Sequence, residues 1–448
     1  MKILILSWYF PPVNAVAAIR TGKMARFFLE AGHDVKVITA RKSDPNRSLK
    51  VELPADCIHE TDWIDVDKFI HPLSNFARAR KPAALAPAAP AAPTGPATQA
   101  AQANAARPAR SPGRLKQRLS GFYNNLFFFP DRYVGWVPRL LAAGRAIDRD
   151  WKADMIYASG PPFSVFLGAH LLSRRIGVPW VAEFRDRWVD DPYFPPPPWR
   201  HGLERSLERK LISGASGIVT VSSPWAEFFH DKYAKPTEVI YNGFDPADFP
   251  LQVDQDFAAD GPVRIVHTGS IYPGRRDPSP VFEAIAKSDF TPDQVRVVFY
   301  GARENYVHPL AAEFGIDAFV ETVPPVAYAE ALKVQRNADV LLLLQWNNPM
   351  EQGNVPAKVF EYLASMRPIL GIGYEQGVPA GLIRARQAGL YSSDPAVIGP
   401  QLRRWVEEKR RAGRLANLPV AVRDGLERDA QYRILENFLV SVTGKTGG

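Results

Sequence analysis

Short apolar runs alternate with segments of helical spacing along most of the chain. Runs suited to buried strands fall at residues 2–6, 34–39, 155–158, 180–184, 218–221 and 238–241. Between them, residues 17–29, 163–175 and 225–233 repeat their apolar positions at helical spacing, and the first of these segments stops at Gly32. Near-continuous apolar strands separated by amphipathic helices predict a parallel sheet covered on both faces. The pattern starts again near Val263, with strands at 263–267, 296–300, 319–322, 340–344 and 368–372 and helices at 280–287, 325–337 and 357–365. A polar, acid-rich stretch at 245–261 separates the two series. The expectation is an α/β chain with two doubly wound domains, 1–245 and 262–415. A last helix at about 419–442 is free to pack back on the first domain.

One stretch breaks the pattern. Residues 82–110 are almost all Ala and Pro, which builds no core and blocks regular helix. Strands and helices of the same style resume after it. It therefore reads as a disordered insertion within the first domain, not as a boundary between two.

Two parallel sheets that face each other bind ligands in the crevice at the carboxyl ends of their strands. That rule singles out the loops at 7–20, 159–163, 185–199, 269–277, 301–305 and 345–358. In Gly269-Ser270-Ile271-Tyr272-Pro273-Gly274-Arg275-Arg276, a glycine lets backbone amides approach an anion and arginines supply charge-assisted bonds to phosphate. The same residues suit a solvated Gly-Pro turn. In Gly353-Asn354-Val355-Pro356-Ala357-Lys358-Val359-Phe360-Glu361, Pro356 suits the first position of a helix whose free amides favour an anion. Lys358 and Glu361 then share one helical face, either as a pair for diphosphate and ribose or as a surface ion pair. Asp186 ends a predicted strand beside Arg185 and Trp188, placed to orient an acceptor hydroxyl or a donor sugar, or to sit in a loop salt bridge. Asp65-Val66-Asp67 and Asp254-Gln255-Asp256 match a D-x-D metal pattern that arises often by chance, and no metal is expected. No G-x-S-x-G elbow is present, which argues against a hydrolase.

Composition adds location more than class. Of 448 residues, 46% are hydrophobic and 23% charged, which excludes a chain disordered throughout, a collagen and a coiled coil. Cys57 stands alone, so no internal disulfide forms. No run approaches the ~20 apolar residues of a membrane span, and the apolar N-terminal run is too short for a signal peptide core. A cytoplasmic protein is expected, soluble or attached peripherally at the inner face of the membrane. The net charge of +8 lies entirely within residues 70–120, where Arg78, Arg80, Lys81, Arg107, Arg110, Arg114, Lys116 and Arg118 meet no acid. The balanced remainder does not read as a nucleic-acid binder. Residues 78–130 end in an aromatic run, Phe122 to Phe129. They read either as an arm for an anionic membrane surface or as an inert linker beside a core helix.

Several blocks, in order, carry a resemblance. They are Trp8-Tyr9-Phe10-Pro11-Pro12 with Arg20 and Ala31-Gly32-His33-Asp34-Val35; Tyr157-Ala158-Ser159-Gly160-Pro161-Pro162; Glu183-Phe184-Arg185-Asp186-Arg187-Trp188; Ile240-Tyr241-Asn242-Gly243-Phe244-Asp245; His267-Thr268-Gly269; and Pro356 to Ala364. Together they resemble the retaining nucleotide-sugar glycosyltransferases of family 4, of bacterial envelope or exopolysaccharide type, whose GT-B architecture sets two Rossmann-like domains across a cleft. The resemblance implies transfer of a sugar from a nucleotide diphosphate donor to a hydroxyl acceptor, lipid-linked or polysaccharide, without a metal or other cofactor. It places the donor on the second domain at Gly269, Ser270, Arg275, Gly301, Asn354, Val355, Lys358 and Glu361. It places the acceptor on the first at Pro12, Asn14, Arg20, Ser159, Gly160, Arg185, Asp186 and Trp188. Arg275, Lys358 and Asp186 are the residues expected in catalysis, the two cations by stabilising the departing diphosphate. Many members carry two glutamates eight residues apart. Glu361 fits the second, and Gly353 stands at the first. Ser270 stands where many carry an arginine, and Arg275 at a lysine position five residues later. Two alternatives remain open: a sugar-nucleotide epimerase of similar fold, and an inactive binding or scaffold protein of a polysaccharide assembly complex.

Overall fold

A computed structural model describes residues 1–42, 47–66, 129–193, 196–251 and 261–444. The stretch 82–110, nearly all of the arm 78–130, Asp67 and the acid pair at 254–256 lie outside the described residues.

The first domain is built on a seven-stranded parallel sheet of order β3-β2-β1-β4-β5-β6-β7. Its strands are β1 (Lys2–Ser7), β2 (Asp34–Ala40), β3 (Ile58–Thr61), β4 (Met155–Gly160), β5 (Trp180–Phe184), β6 (Gly217–Thr220) and β7 (Thr237–Val239). The second is built on a six-stranded parallel sheet of order β10-β9-β8-β11-β12-β13. Its strands are β8 (Val263–Thr268), β9 (Val295–Tyr300), β10 (Val320–Val323), β11 (Val340–Leu344), β12 (Ile369–Ile372) and β13 (Gly389–Tyr391). Both are doubly wound Rossmann-like folds.

The apolar runs explain the sheets directly. Ile3, Leu4, Ile5 and Leu6 of β1, and all five residues of β11, are buried, because helices cover both faces of each sheet. The helix Ser164–Ile176 ends at Gly177, whose φ of 73° is a left-handed cap, with Arg174 and Arg175 in its last turn at the negative end of the dipole.

Strand order reverses between β1 and β4 and between β8 and β11, so each domain opens a crevice at the carboxyl ends of those strands. The chain then returns. The helix Arg428–Thr443 packs Tyr432, Leu435, Phe438 and Leu439 into the core of the first domain, and the Tyr432 hydroxyl donates to the carbonyl of Arg20 at 3.0 Å. Among the described residues no helix is long and apolar enough to cross a membrane.

Candidate active site

On the first domain, the expected acceptor residues are held by internal partners. Arg20 is 2% exposed and Glu183 is fully buried; they form an ion pair at 2.8 Å. The same guanidinium donates to the carbonyls of Ile240 and Tyr241, both at 2.9 Å. The Ser159 hydroxyl donates to the other oxygen of Glu183. Despite its own burial, Glu183 stays below the usual carboxylate range because Arg20, Arg185 and Ser159 stabilise its charge. Arg20 and Ser159 are therefore engaged from inside the first domain. Arg185 donates through Nε to the Gly160 carbonyl at 3.1 Å and through Nη2 to Pro161, so it shapes the loop and does not face the cleft freely. Trp188 is buried in parallel stacking on Phe163, with centroids 5.1 Å apart. Pro12 and Asn14 are tied to the segment after β2: the Pro12 carbonyl accepts from Leu49 at 3.1 Å, and Asn14 Nδ2 donates to Ser48 Oγ at 2.9 Å.

Asp186 differs. It is half-buried beside Arg185, and burial together with Asp191 pushes its carboxyl up to about 7.

The second domain presents a different wall. After β8 the chain turns at Gly269, φ 118°, whose N–H reaches the Tyr300 carbonyl at 2.7 Å. After β9 it turns at Gly301, φ 83°, whose N–H reaches Val323 at 2.9 Å. These left-handed turns require glycine. Arg276 donates to the Ser270 carbonyl at 3.4 Å and lies 4.8 Å from the ring centre of Tyr272. Burial lowers its affinity for a proton. Burial also lowers Lys358, and the charge of Arg276 pushes it the same way, against Glu361. Burial drives His267 down to about 3, with Lys358 and Arg276 adding to the effect, so its ring is neutral between them and the sheet.

Arg275, the arginine singled out from sequence, points elsewhere. Its guanidinium lies 4.7 Å from the ring centre of Tyr193 in the first domain and 5.2 Å from that of Trp346 in the second. The cation grouped with Lys358 is Arg276, one residue on. An arginine pair in a loop carries no periodicity that reveals which member faces inward.

The helix Ala357–Ala364 begins after Pro356, which is the cap and not the first helical residue and supplies no side-chain cap. Glu361 lies one turn along and accepts from Gln335 Nε2 at 3.0 Å. Val355 is buried. Asn354 holds the seam between domains: its Nδ2 donates to Tyr193 Oη at 3.2 Å and to Glu351 Oε2 at 2.9 Å. Gln345 fixes the same loop, donating to the Asn354 carbonyl at 3.1 Å and accepting from Tyr391 Oη at 3.0 Å.

Gly353 has a steric reason. A Cβ there would sit 2.2 Å from Cδ1 of Trp225, a buried first-domain side chain. A glutamate at this position is excluded by the neighbouring domain. Two residues earlier Glu351 is 3% exposed, and burial pushes its carboxyl up to about 7. The expected spacing of eight residues points to Gly353 and hides it.

Residues 17–243, half of the chain, match the glycosyl transferase 4-like domain. The chain belongs to the glycosyltransferase 4-like family. Solved structures share its fold over nearly their whole length. HepE of Anabaena, determined with UDP and glucose, has a TM-score of 0.60 at 14% identity, over 98% of this chain and 100% of that one. The lipopolysaccharide outer core galactosyltransferase WaaB gives 0.57 at 12%, over 98% and 99%. Sucrose-phosphate synthase of Thermosynechococcus elongatus gives 0.57 at 14%, over 99% and 96%. At these identities the likeness is one of fold, and the fold is GT-B. No curated protein sequence matches the chain.

Proposed function

We propose that this glycosyltransferase moves a sugar from a nucleoside diphosphate donor to an acceptor hydroxyl with retention of anomeric configuration. The observation that carries the reading is the second-domain wall. Arg276 and Lys358 are half-buried with depressed proton affinity, and the charge of Arg276 pushes Lys358 down, a site suited to the negative charge a diphosphate would supply. The uncapped amides at the start of the helix Ala357–Ala364 add to it. Glu361 lies one turn along the same face, suited to ribose hydroxyls. HepE, of the same fold, was determined with UDP-glucose.

In the reaction, the bond from the anomeric carbon to the diphosphate oxygen breaks and a bond to the acceptor oxygen forms on the same face. That geometry sets the acceptor hydroxyl beside the departing phosphate oxygen, which takes its proton. Negative charge grows on the diphosphate as the bond breaks, and Arg276 and Lys358 stabilise it more in the transition state than before. Two side-chain cations and helix-end amides carry that charge, so the scheme calls for no metal. Asp186, across the cleft, would orient the acceptor. The acceptor itself we read as a lipid-linked or polysaccharide intermediate of envelope synthesis. The support is the acid-free basic stretch 70–120, suited to holding a catalyst at the inner, anionic face of a membrane.

The experiment is incubation with UDP-, GDP- and ADP-hexoses and a panel of lipid-linked and saccharide acceptors, with products followed by NMR. A glycoside with the donor's anomeric configuration is the expected result. Inversion would overturn the retaining scheme. An isomerised donor formed without acceptor would favour an epimerase, and donor binding without turnover a scaffold.

A further inference from the structure

Gln335, in the helix Tyr328–Arg336, is 1% exposed. Its Nε2 donates to Glu361 Oε2 at 3.0 Å and to Thr268 Oγ1 at 3.1 Å, which uses both amide hydrogens. Its carbonyl oxygen, Oε1, is buried with no hydrogen-bond partner among the described residues. Folded proteins leave few buried polar atoms unpaired, and each one calls for an explanation. Turning the amide over would set Oε1 against the Glu361 carboxylate, acceptor against acceptor, and would lose both bonds. The fold keeps an orphaned carbonyl and points both N–H groups at Thr268 and Glu361. The neighbours agree with that orientation. The Tyr362 hydroxyl makes a long bond to the Leu342 carbonyl, at 3.4 Å, and lies 3.5 Å from Thr268 Oγ1. With the Tyr362 hydrogen on that carbonyl, the Thr268 hydroxyl donates to Tyr362 and accepts from Gln335. Lys358, three residues before Glu361, feels its charge but forms no ion pair with it among the described residues. A neutral donor holds Glu361, and it holds one oxygen only.

We propose that Gln335 is a positioning residue, which holds Glu361 in the rotamer that accepts from the ribose hydroxyls of the donor nucleotide. The inference rests on the donor reading above, which sets Glu361 toward ribose, and adds the residue that prepares it. A half-buried glutamate on a helix samples several rotamers, and a ligand that must order it loses affinity to that ordering. Gln335 has removed this freedom before the ligand arrives. The choice of an amide follows from chemistry. An arginine in its place would engage both carboxylate oxygens in a fork and compete with the ligand. An amide ties Oε2 through one hydrogen. It leaves Oε1 and a lone pair of Oε2 for two adjacent hydroxyls, which a ribose presents. Gln335 touches neither ribose nor diphosphate in this scheme and acts only through Glu361.

The test is calorimetric titration of the full-length protein with UDP, GDP and ADP, then with the 2′,3′-dideoxy analogue of whichever binds. Gln335→Met, which keeps the length of the side chain and removes the donor, is compared with the wild type, Glu361→Ala and the double variant, each checked by thermal melting. The wild type should prefer the ribonucleotide roughly 10–100-fold, as hydrogen bonds to a charged group imply. Gln335→Met should cut that preference roughly 3–10-fold while affinity for the dideoxy analogue stays unchanged. The double variant should show no less preference than Glu361→Ala alone, because the two residues act as one unit. Both nucleotides meet the same folded fraction, so the ratio survives any loss of stability. A lowered melting temperature with an unchanged preference would make Gln335 structural only and overturn the inference. A further loss of preference when Gln335→Met is added to Glu361→Ala would overturn it too. If no nucleoside diphosphate binds the wild type, the donor reading fails and the inference falls with it. If the diphosphate binds but the wild type does not distinguish ribose from dideoxyribose, the inference falls while the diphosphate site stands.

Discussion

The two walls of the cleft are charged in opposite ways of belonging. On the first domain, Arg20 meets Glu183, two backbone carbonyls and, through Glu183, Ser159. Arg20 and Glu183 thus have protein partners. On the second domain, burial lowers the proton affinity of Arg276 and Lys358, and the charge of Arg276 lowers Lys358 further. A buried ion that is satisfied within the fold holds architecture together. A partly buried cation without an ion pair is a candidate for holding a ligand's charge. Residue type alone does not separate the two cases: an arginine on one wall is a strut and on the other is proposed as a binding group.

Substitutions should separate the walls, and the largest effect belongs to the first. Glu183→Gln or Arg20→Met leaves one partner buried and uncompensated, which costs about 3–5 kcal/mol of stability. Chemical denaturation should show this loss, while turnover per folded molecule changes little. Next, Lys358→Ala or Arg276→Ala should lower transfer by roughly 10²–10³. Neither should lower the melting temperature, since each removes a cation crowded by the other. A destabilised Lys358→Ala protein with normal turnover would reverse the assignment of the walls.

The Asp186 carboxyl, with its proton affinity raised to about 7, gives a pH signature. The fold favours its protonated form. The stability this contributes is fully present below the ordinary carboxylate range and fades as pH rises toward 7. Asp186→Asn keeps a neutral side chain throughout. Its stability relative to the wild type should therefore rise between pH 4 and 7.5, by an amount on the order of 2 kcal/mol. A pH-independent difference would remove the burial argument. The smallest effect belongs to Arg275→Ala, which breaks the aromatic bridge from Tyr193 to Trp346. A partly exposed cation–π contact contributes about 0.5–1 kcal/mol, so donor KM should rise only a few-fold.

The fold was legible where burial is two-sided. Continuous apolar runs such as β1 and β11 need no alternation to be recognised. The short edge strands escaped: Ile58–Thr61 and Gly389–Tyr391 are brief and partly exposed, so neither period stands out. The loops that line the cleft were legible because strand order places them there. The orientation of side chains within those loops was not. Arg20 and Glu183 lie 163 residues apart, and nothing local announces their pairing. Arg275 and Arg276 are indistinguishable until the loop folds. Glu351 is hidden because the family spacing points eight residues before Glu361, where Trp225 leaves room only for glycine.

The central claim is that the second-domain wall holds a diphosphate through Lys358 and Arg276. The most direct measurement is calorimetric titration of wild type and Lys358→Ala with a nucleoside, its monophosphate and its diphosphate. The account predicts that the wild type prefers the diphosphate strongly and that the preference collapses in the variant while nucleoside affinity persists. An identical preference in both proteins would contradict it.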